Sequence, residues 1–141
     1  MFEERPLTGF GPGTYAFEYA RFQEPENLTI ISTNFGTGGN AHSEYLGPLA
    51  ETGLPGMLII FVLVFVIFYK GIRLYHSLPV QERELRVLIL GMILASSTYF
   101  IHGLLNNYLD TDKAAIPIWA MCAIFIAMDA RNREGKFSSS K

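Results

Sequence analysis

A chain of 141 residues that is 50% hydrophobic and only 17% charged, with its apolar residues gathered in three blocks, does not read as a single soluble domain. Its 11 basic and 13 acidic side chains, net charge −2, leave no basic patch for nucleic acid. Its one cysteine, Cys122, rules out an intrachain disulfide, and no HExxH, HxxxH or CxxC spacing suggests a metal or other cofactor.

Residues 1–13, MFEERPLTGFGPG, are dense in turn formers and read as a tight loop. A glycine loop that opens a helix can also hold an anion on backbone N–H groups, but this spacing is neither a Walker nor a dinucleotide fingerprint. Residues 14–22, TYAFEYARF, predict a short amphipathic helix. Thr14 would be its N-cap, and Tyr15, Tyr19 and Phe22 fall on one face at i, i+4, i+7, suited to a membrane surface or to packing on other helices. Arg21 has two readings: a cation that meets an anionic ligand, or a helix-end arginine favoured by the dipole. Residues 23–41 read as irregular, and Asn27-Leu28-Thr29 is a sequon of a kind common by chance.

Residues 40–56, NAHSEYLGPLAETGLPG, form a polar, ionisable stretch that runs straight into the first long apolar block. They predict a second short helix over about 41–52. Asn40 would be its N-cap, with His42, Tyr45, Leu46 and Leu49 on one face and Glu44 and Glu51 on another. Pro48 would kink or break it, Gly53 would end it, and Pro55 would open the helix that follows.

Three membrane spans follow, over about 54–70, 85–106 and 114–129. Residues 52–69 carry no charge over eighteen positions, 87–109 none over twenty-three and 114–128 none over fifteen, against roughly 20 residues needed to cross a bilayer. The third block is short and must thin the bilayer or lean on its neighbours. Gly91 and Ala95-Ser96-Ser97 should let another helix approach closely, and Pro117 and Trp119 should open the third span. The tail is 130–141, and its NREGKFSSSK end, 132–141, is expected to be polar and disordered.

Lys70, Arg73, Arg83 and Arg86 between the first two blocks, and Arg131, Arg133, Lys136 and Lys141 after the third, place that connection and the tail in the cytoplasm. Residues 1–53, with two arginines against seven glutamates, and the loop 106–113 then lie outside. The expected class is therefore an all-α integral membrane protein, three transmembrane helices preceded by an extracytoplasmic loop region with short interfacial helices. An outside segment of some fifty residues with no signal peptide before it also leads us to expect the C-terminal piece of a larger protein.

The outside face gathers His42, His102, Arg21, Glu44 and Glu51. An unperturbed imidazole suits general-base work on a hydroxyl near neutral pH, which makes His42 a candidate base; its other reading is an interfacial histidine that hydrogen-bonds a lipid headgroup or a neighbouring loop. His102 suits a hydrogen bond between packed helices.

Two stretches together resemble a known family. RPLTGFGPGTY is similar to the hPltGvGpGnF-type loop of bacterial O-antigen ligases and polymerases, and AHSEYLGPLAETGLPG resembles their HNeYLqlLaEtGllG signature. Their order, their gap of about thirty residues and the outside placement match that family's large periplasmic loop. The likeness covers residues 5–70; the last two helices match only as generic spans.

The resemblance implies a glycosyltransferase of the bacterial inner membrane, part of lipopolysaccharide or polysaccharide biosynthesis. It would move a glycan from an undecaprenyl-diphosphate carrier to a hydroxyl of lipid A core, another glycan or a protein. His42 falls on the family's proposed base, with Glu44 and Tyr45 beside it as substrate-binding candidates. Ser43 stands where the family has Asn. Arg21 is the candidate for a loop arginine that holds the pyrophosphate; the family's sGR…W arginine has no counterpart, since Arg5 is too close to the loop. About nine further upstream helices are implied as partners, with membrane lipids around them, and without them this stretch is expected to be inactive. A different class also fits the residues: a small non-catalytic three-span protein that binds a partner or a glycan lipid.

Overall fold

The computed structural model describes residues 1–30, 32, 35, 39–110 and 112–134. Most of the stretch 33–40 and the tail from 135, expected to be irregular and disordered respectively, lie outside them. The described residues contain helices and no strand. In chain order the α-helices are α1 (Tyr15–Glu18), α2 (Leu46–Ser77), α3 (Arg83–His102) and α4 (Asp112–Arg133). Three of the four are long and apolar enough to cross a membrane.

The chain divides into two compact units. One holds Met1–Val62 with Gly103–Tyr108; the other holds Leu63–His102 with Leu109–Lys141.

In the first unit the helix expected over 14–22 is α-helical only as far as Glu18 and tightens to a 3-10 turn over Tyr19–Phe22. Tyr15 and Tyr19 stack at 5.3 Å, as their spacing suggested. The helix expected from Ala41 begins instead at Leu46. Asn40 does not cap it: its Oδ1 accepts the His42 N–H at 2.7 Å and folds the chain into a local turn. Ser43 Oγ accepts from the N–H groups of Tyr45 and Leu46, both at 3.3 Å, and so becomes the cap. Pro48 then lies in the first turn of α2, where no partner awaits its missing N–H, and it produces no kink.

The kink is at Gly53, with φ 72° and ψ −162°, a region essentially closed to any residue with a Cβ. Beyond it Pro55 sits in the first turn of the long segment, as expected. That segment does not stop near Lys70 but runs to Ser77, because Pro79 is the first breaker after it and Lys70, Arg73 and His76 favour a helix C-terminus. From Leu54 to Ser77 it is roughly 36 Å long at 1.5 Å per residue.

The second unit has an apolar core from three helices. Ile67, Leu74 and Leu78 pack with Ile89, Met92 and Phe100 of α3 and Ile118 and Phe125 of α4. Within α3 the small run does face a neighbour: Ser96 is fully buried and its hydroxyl points to Met121 Sδ at 3.9 Å. Gly91 does not, having nothing within 4 Å of where a Cβ would sit. Gly71 is the glycine in contact, its Cβ position 3.0 Å from Ile93 and 3.2 Å from Phe125. Ser97 and Thr98 return their hydroxyls to the carbonyls of Ile93 and Leu94, so an apolar helix leaves neither unsatisfied. Pro117 falls in the second turn of α4, not its first. Near the helix ends, Lys70 meets Asp129 at 3.6 Å, and Asn132 donates to Ser77 Oγ at 2.8 Å. The outward faces stay apolar, with Phe65, Val87, Leu94 and Ile126 all exposed, the inverse of a water-soluble bundle.

Candidate functional site

The glycine loop and the 40–56 stretch, some thirty residues apart in sequence, are hydrogen-bonded to each other. Where α2 breaks at Gly53, carbonyls that its first segment would leave unpaired are taken by the loop. Phe10 N–H donates to Ala50 O at 3.3 Å and Gly11 N–H to Glu51 O at 2.7 Å. In return, the Leu54 N–H that opens the long segment donates to Pro6 O at 2.8 Å. The loop is thus a splint across the kink.

Glu51 completes the splint with its side chain. One carboxylate oxygen accepts the Gly13 N–H at 2.8 Å and the other accepts the Tyr15 N–H at 3.0 Å. The glycine loop does hold an anion, and the anion is the protein's own. Thr14, expected to cap α1, makes no side-chain cap and donates its hydroxyl to Gly11 O at 2.6 Å. Glu51 takes over the capping role. A sequence reading misses this because it needs a contact across 36 residues; the available signal was an acidic side chain opposite a loop full of unpaired N–H groups.

Two glycines set how closely the strands of this splint approach. A Cβ on Gly9 would land on the backbone of Glu51 and Thr52, and one on Gly53 would sit 2.7 Å from Pro6 O and Leu7 C. Both also have positive φ, 60° and 72°.

His42 lies on the turn just before α2. Its side chain is exposed, and its φ of 45° makes it the one non-glycine residue with positive φ among those described. Histidine tolerates the left-handed region better than most residues, yet holding it there is strained and needs a local clamp, here the Asn40 side chain. The helical face expected to align His42 with Tyr45 and Leu49 does not form, because residues 41–45 are not helical.

Glu44 and Tyr45 follow His42 but point inward. Glu44 is buried, and its backbone N–H donates to Gly103 O at 2.9 Å, joining the turn to the Gly103–Tyr108 segment of the same unit. Tyr45 is buried and stacks on Phe61 at 5.3 Å. Burial, and then the Glu44 charge beside it, raise its phenol above the ordinary value, so it stays a neutral hydrogen-bonding group. Both side chains support the turn more than they face outward.

Arg21 is engaged within the unit. It pairs with Glu18 at 3.0 Å and Glu4 at 3.6 Å and stacks on the rings of Phe22 and Phe10 at 4.8 and 5.1 Å. None of these contacts reaches the 42–45 turn. Arg5, set aside in the sequence, covers the Phe10 ring at 4.8 Å and has no carboxylate partner among the described residues. One cavity in this unit, about 280 Å³, is lined by Tyr15, Tyr19, Phe22, Gln23, Leu46 and Leu49 among others, and not by His42. Among the described residues, no cluster of three or more His, Cys, Asp or Glu side chains is arranged to hold a metal ion.

Comparisons with protein-family models, characterised proteins and solved structures find no match to this chain.

Proposed function

We propose that this chain is part of an O-antigen ligase-like membrane glycosyltransferase, with His42 as the base that activates an acceptor hydroxyl. The donor would be a glycan on an undecaprenyl-diphosphate carrier, and the acceptor lipid A core, another glycan or a protein. The observation that carries the reading is the splint: the two stretches that resemble the family are the two that hydrogen-bond to each other, through Phe10, Gly11 and Leu54 and through the Glu51 carboxylate.

His42 is supported by its setting. An exposed histidine kept at positive φ by a neighbouring side chain, on a turn whose next two residues are buried, is held in place while its ring stays accessible. Arginines would neutralise the charge that develops on the diphosphate leaving group, so the transfer needs no metal. Arg21 would take that role by exchanging Glu4 and Glu18 for the diphosphate. In this reading the three apolar helices cross the bacterial inner membrane with residues 1–53 on the periplasmic side and the tail in the cytoplasm, beside the upstream helices that the resemblance implies.

The test is His42→Ala in the protein carrying those upstream helices. Glycan transfer should be abolished while membrane abundance is unchanged. Retained transfer would remove His42 from the mechanism.

A further inference from the structure

Among the described residues, the second unit carries arginines with no carboxylate within ion-pair distance. Two cations there are paired: Lys70 and Arg133 share Asp129 at 3.6 and 2.9 Å. Arg83 and Arg86, in the first turn of α3, differ. Glu82 and Glu84 flank Arg83 in sequence, yet among the described residues neither arginine is within ion-pair distance of a carboxylate. Two guanidinium groups without a carboxylate in contact, at one helix start where the dipole is also positive, leave their donors open to an outside anion even with Glu82 and Glu84 close in sequence.

Both arginines line one cavity of about 350 Å³, together with Tyr75, Val80, Val87 and Leu90. Arg83 is exposed. Arg86 is half-buried and fixed, its guanidinium over the Tyr75 ring at 4.7 Å and one N–H donating to Leu78 O at 3.4 Å. That leaves most of its donors for an oxyanion in a planar fork matched to phosphate. The rest of the lining is apolar, and it continues along α3: Arg83, Val87, Leu90 and Leu94 recur at i, i+4, i+7, i+11, and the three apolar members are exposed. From Arg83 to Leu94 this stripe runs about 16 Å, half the thickness of a hydrocarbon core.

We propose that the turn between α2 and α3 is a binding site for an anionic phospholipid. Arg83 and Arg86 hold the headgroup phosphate, and one acyl chain lies along Val87, Leu90 and Leu94. A phosphate alone would satisfy the arginines but leave the apolar stripe uncovered; a zwitterionic lipid would cover the stripe but bring its own cation to the arginines. The site does not depend on the chemistry proposed for His42.

The test uses the whole chain in phosphatidylcholine nanodiscs doped with phosphatidylglycerol, with native mass spectrometry to count the lipids retained on release. The protein should keep phosphatidylglycerol in preference to phosphatidylcholine, and excess inorganic phosphate should not displace it. Arg83→Gln with Arg86→Gln should lower that preference by about tenfold or more, since each arginine near an anionic surface is worth about a factor of five. Arg83→Gln alone, at an exposed side chain, should lower it by about fivefold without disturbing the fold, and decides the matter if the double variant loses helix content. Arg73→Gln, an exposed arginine outside this cavity, should change nothing. Equal retention of the two lipids, an unaltered preference in Arg83→Gln, an equal loss in Arg73→Gln, or displacement by inorganic phosphate would each overturn the proposal.

Discussion

The two units of this chain are held together by different forces. Residues 63–102 with 109–134 pack by side chains: Leu74, Ile89 and Ile118 are almost wholly buried, and three helices supply the core around them. In residues 1–62 with 103–108 the few buried side chains include Ser43 and Glu44, and order comes largely from backbone hydrogen bonds between the loop 6–13 and the break in α2. A broken helix exposes carbonyls and N–H groups that a glycine loop can take up, so a polar segment can be well defined without a large apolar core. Such order should tolerate side-chain changes on its surface and fail when a Cβ or a missing acceptor reaches the backbone contact.

The sharpest test is to place a methyl group in each unit. Gly53→Ala or Gly9→Ala should destabilise the first unit by more than about 3 kcal/mol, because left-handed strain adds to a clash with backbone that cannot move aside. The readout is rapid proteolysis within 1–53. Gly71→Ala meets only the side chains of Ile93 and Phe125, which can shift, and should stay within about 1 kcal/mol. Equal sensitivity at Gly53 and Gly71 would erase the distinction between the units.

Next in size is the acceptor. Glu51→Ala removes the oxygens that hold Gly13 and Tyr15 and should cost about 1–3 kcal/mol, while Glu51→Gln, which keeps one acceptor, should cost about half. Amide hydrogen exchange at Gly13 and Tyr15 measures it directly; unchanged protection would mean that Glu51 contributes nothing to the splint.

A smaller effect should appear in alkali. The folded phenol of Tyr45 is raised above the unfolded value of about 10, so the folded form binds its proton more tightly and stability is fully present below that pH. It is lost as pH rises through the folded value. Ultraviolet difference titration of the parent against Tyr45→Phe should show the missing phenol ionising above the ordinary tyrosine range. The smallest effect is a gain: Gly91→Ala, with open space around it in α3, should stabilise the second unit by up to about 1 kcal/mol through helix propensity alone.

Much of this was legible in the residues. Runs without charge fixed the number of long helices, and Gly53-Leu54-Pro55 marked the break between the short segment and the long one. What went unread was set by partners distant in the chain or by local competition. Asn40 looked like a cap, but its side chain found the nearer N–H of His42, and Ser43, three residues on, capped the helix. Pro48 looked like a breaker until the later helix start moved it into a first turn. Gly91 looked like a contact and is open, whereas Gly71 is packed; helix period alone does not say which face meets a neighbour.

The sequence by itself determined that three helices are long and apolar enough to cross a membrane, where one of them breaks, and which ionisable residues cluster before it. Composition and period decide those things, since both act over neighbouring residues. Only the tertiary structure decided that Glu51 closes the glycine loop, that Arg21 is held by Glu4 and Glu18, and that His42 stands exposed in a left-handed turn. Each depends on hydrogen bonds or charges brought together by the fold, and so on distances that no local pattern encodes.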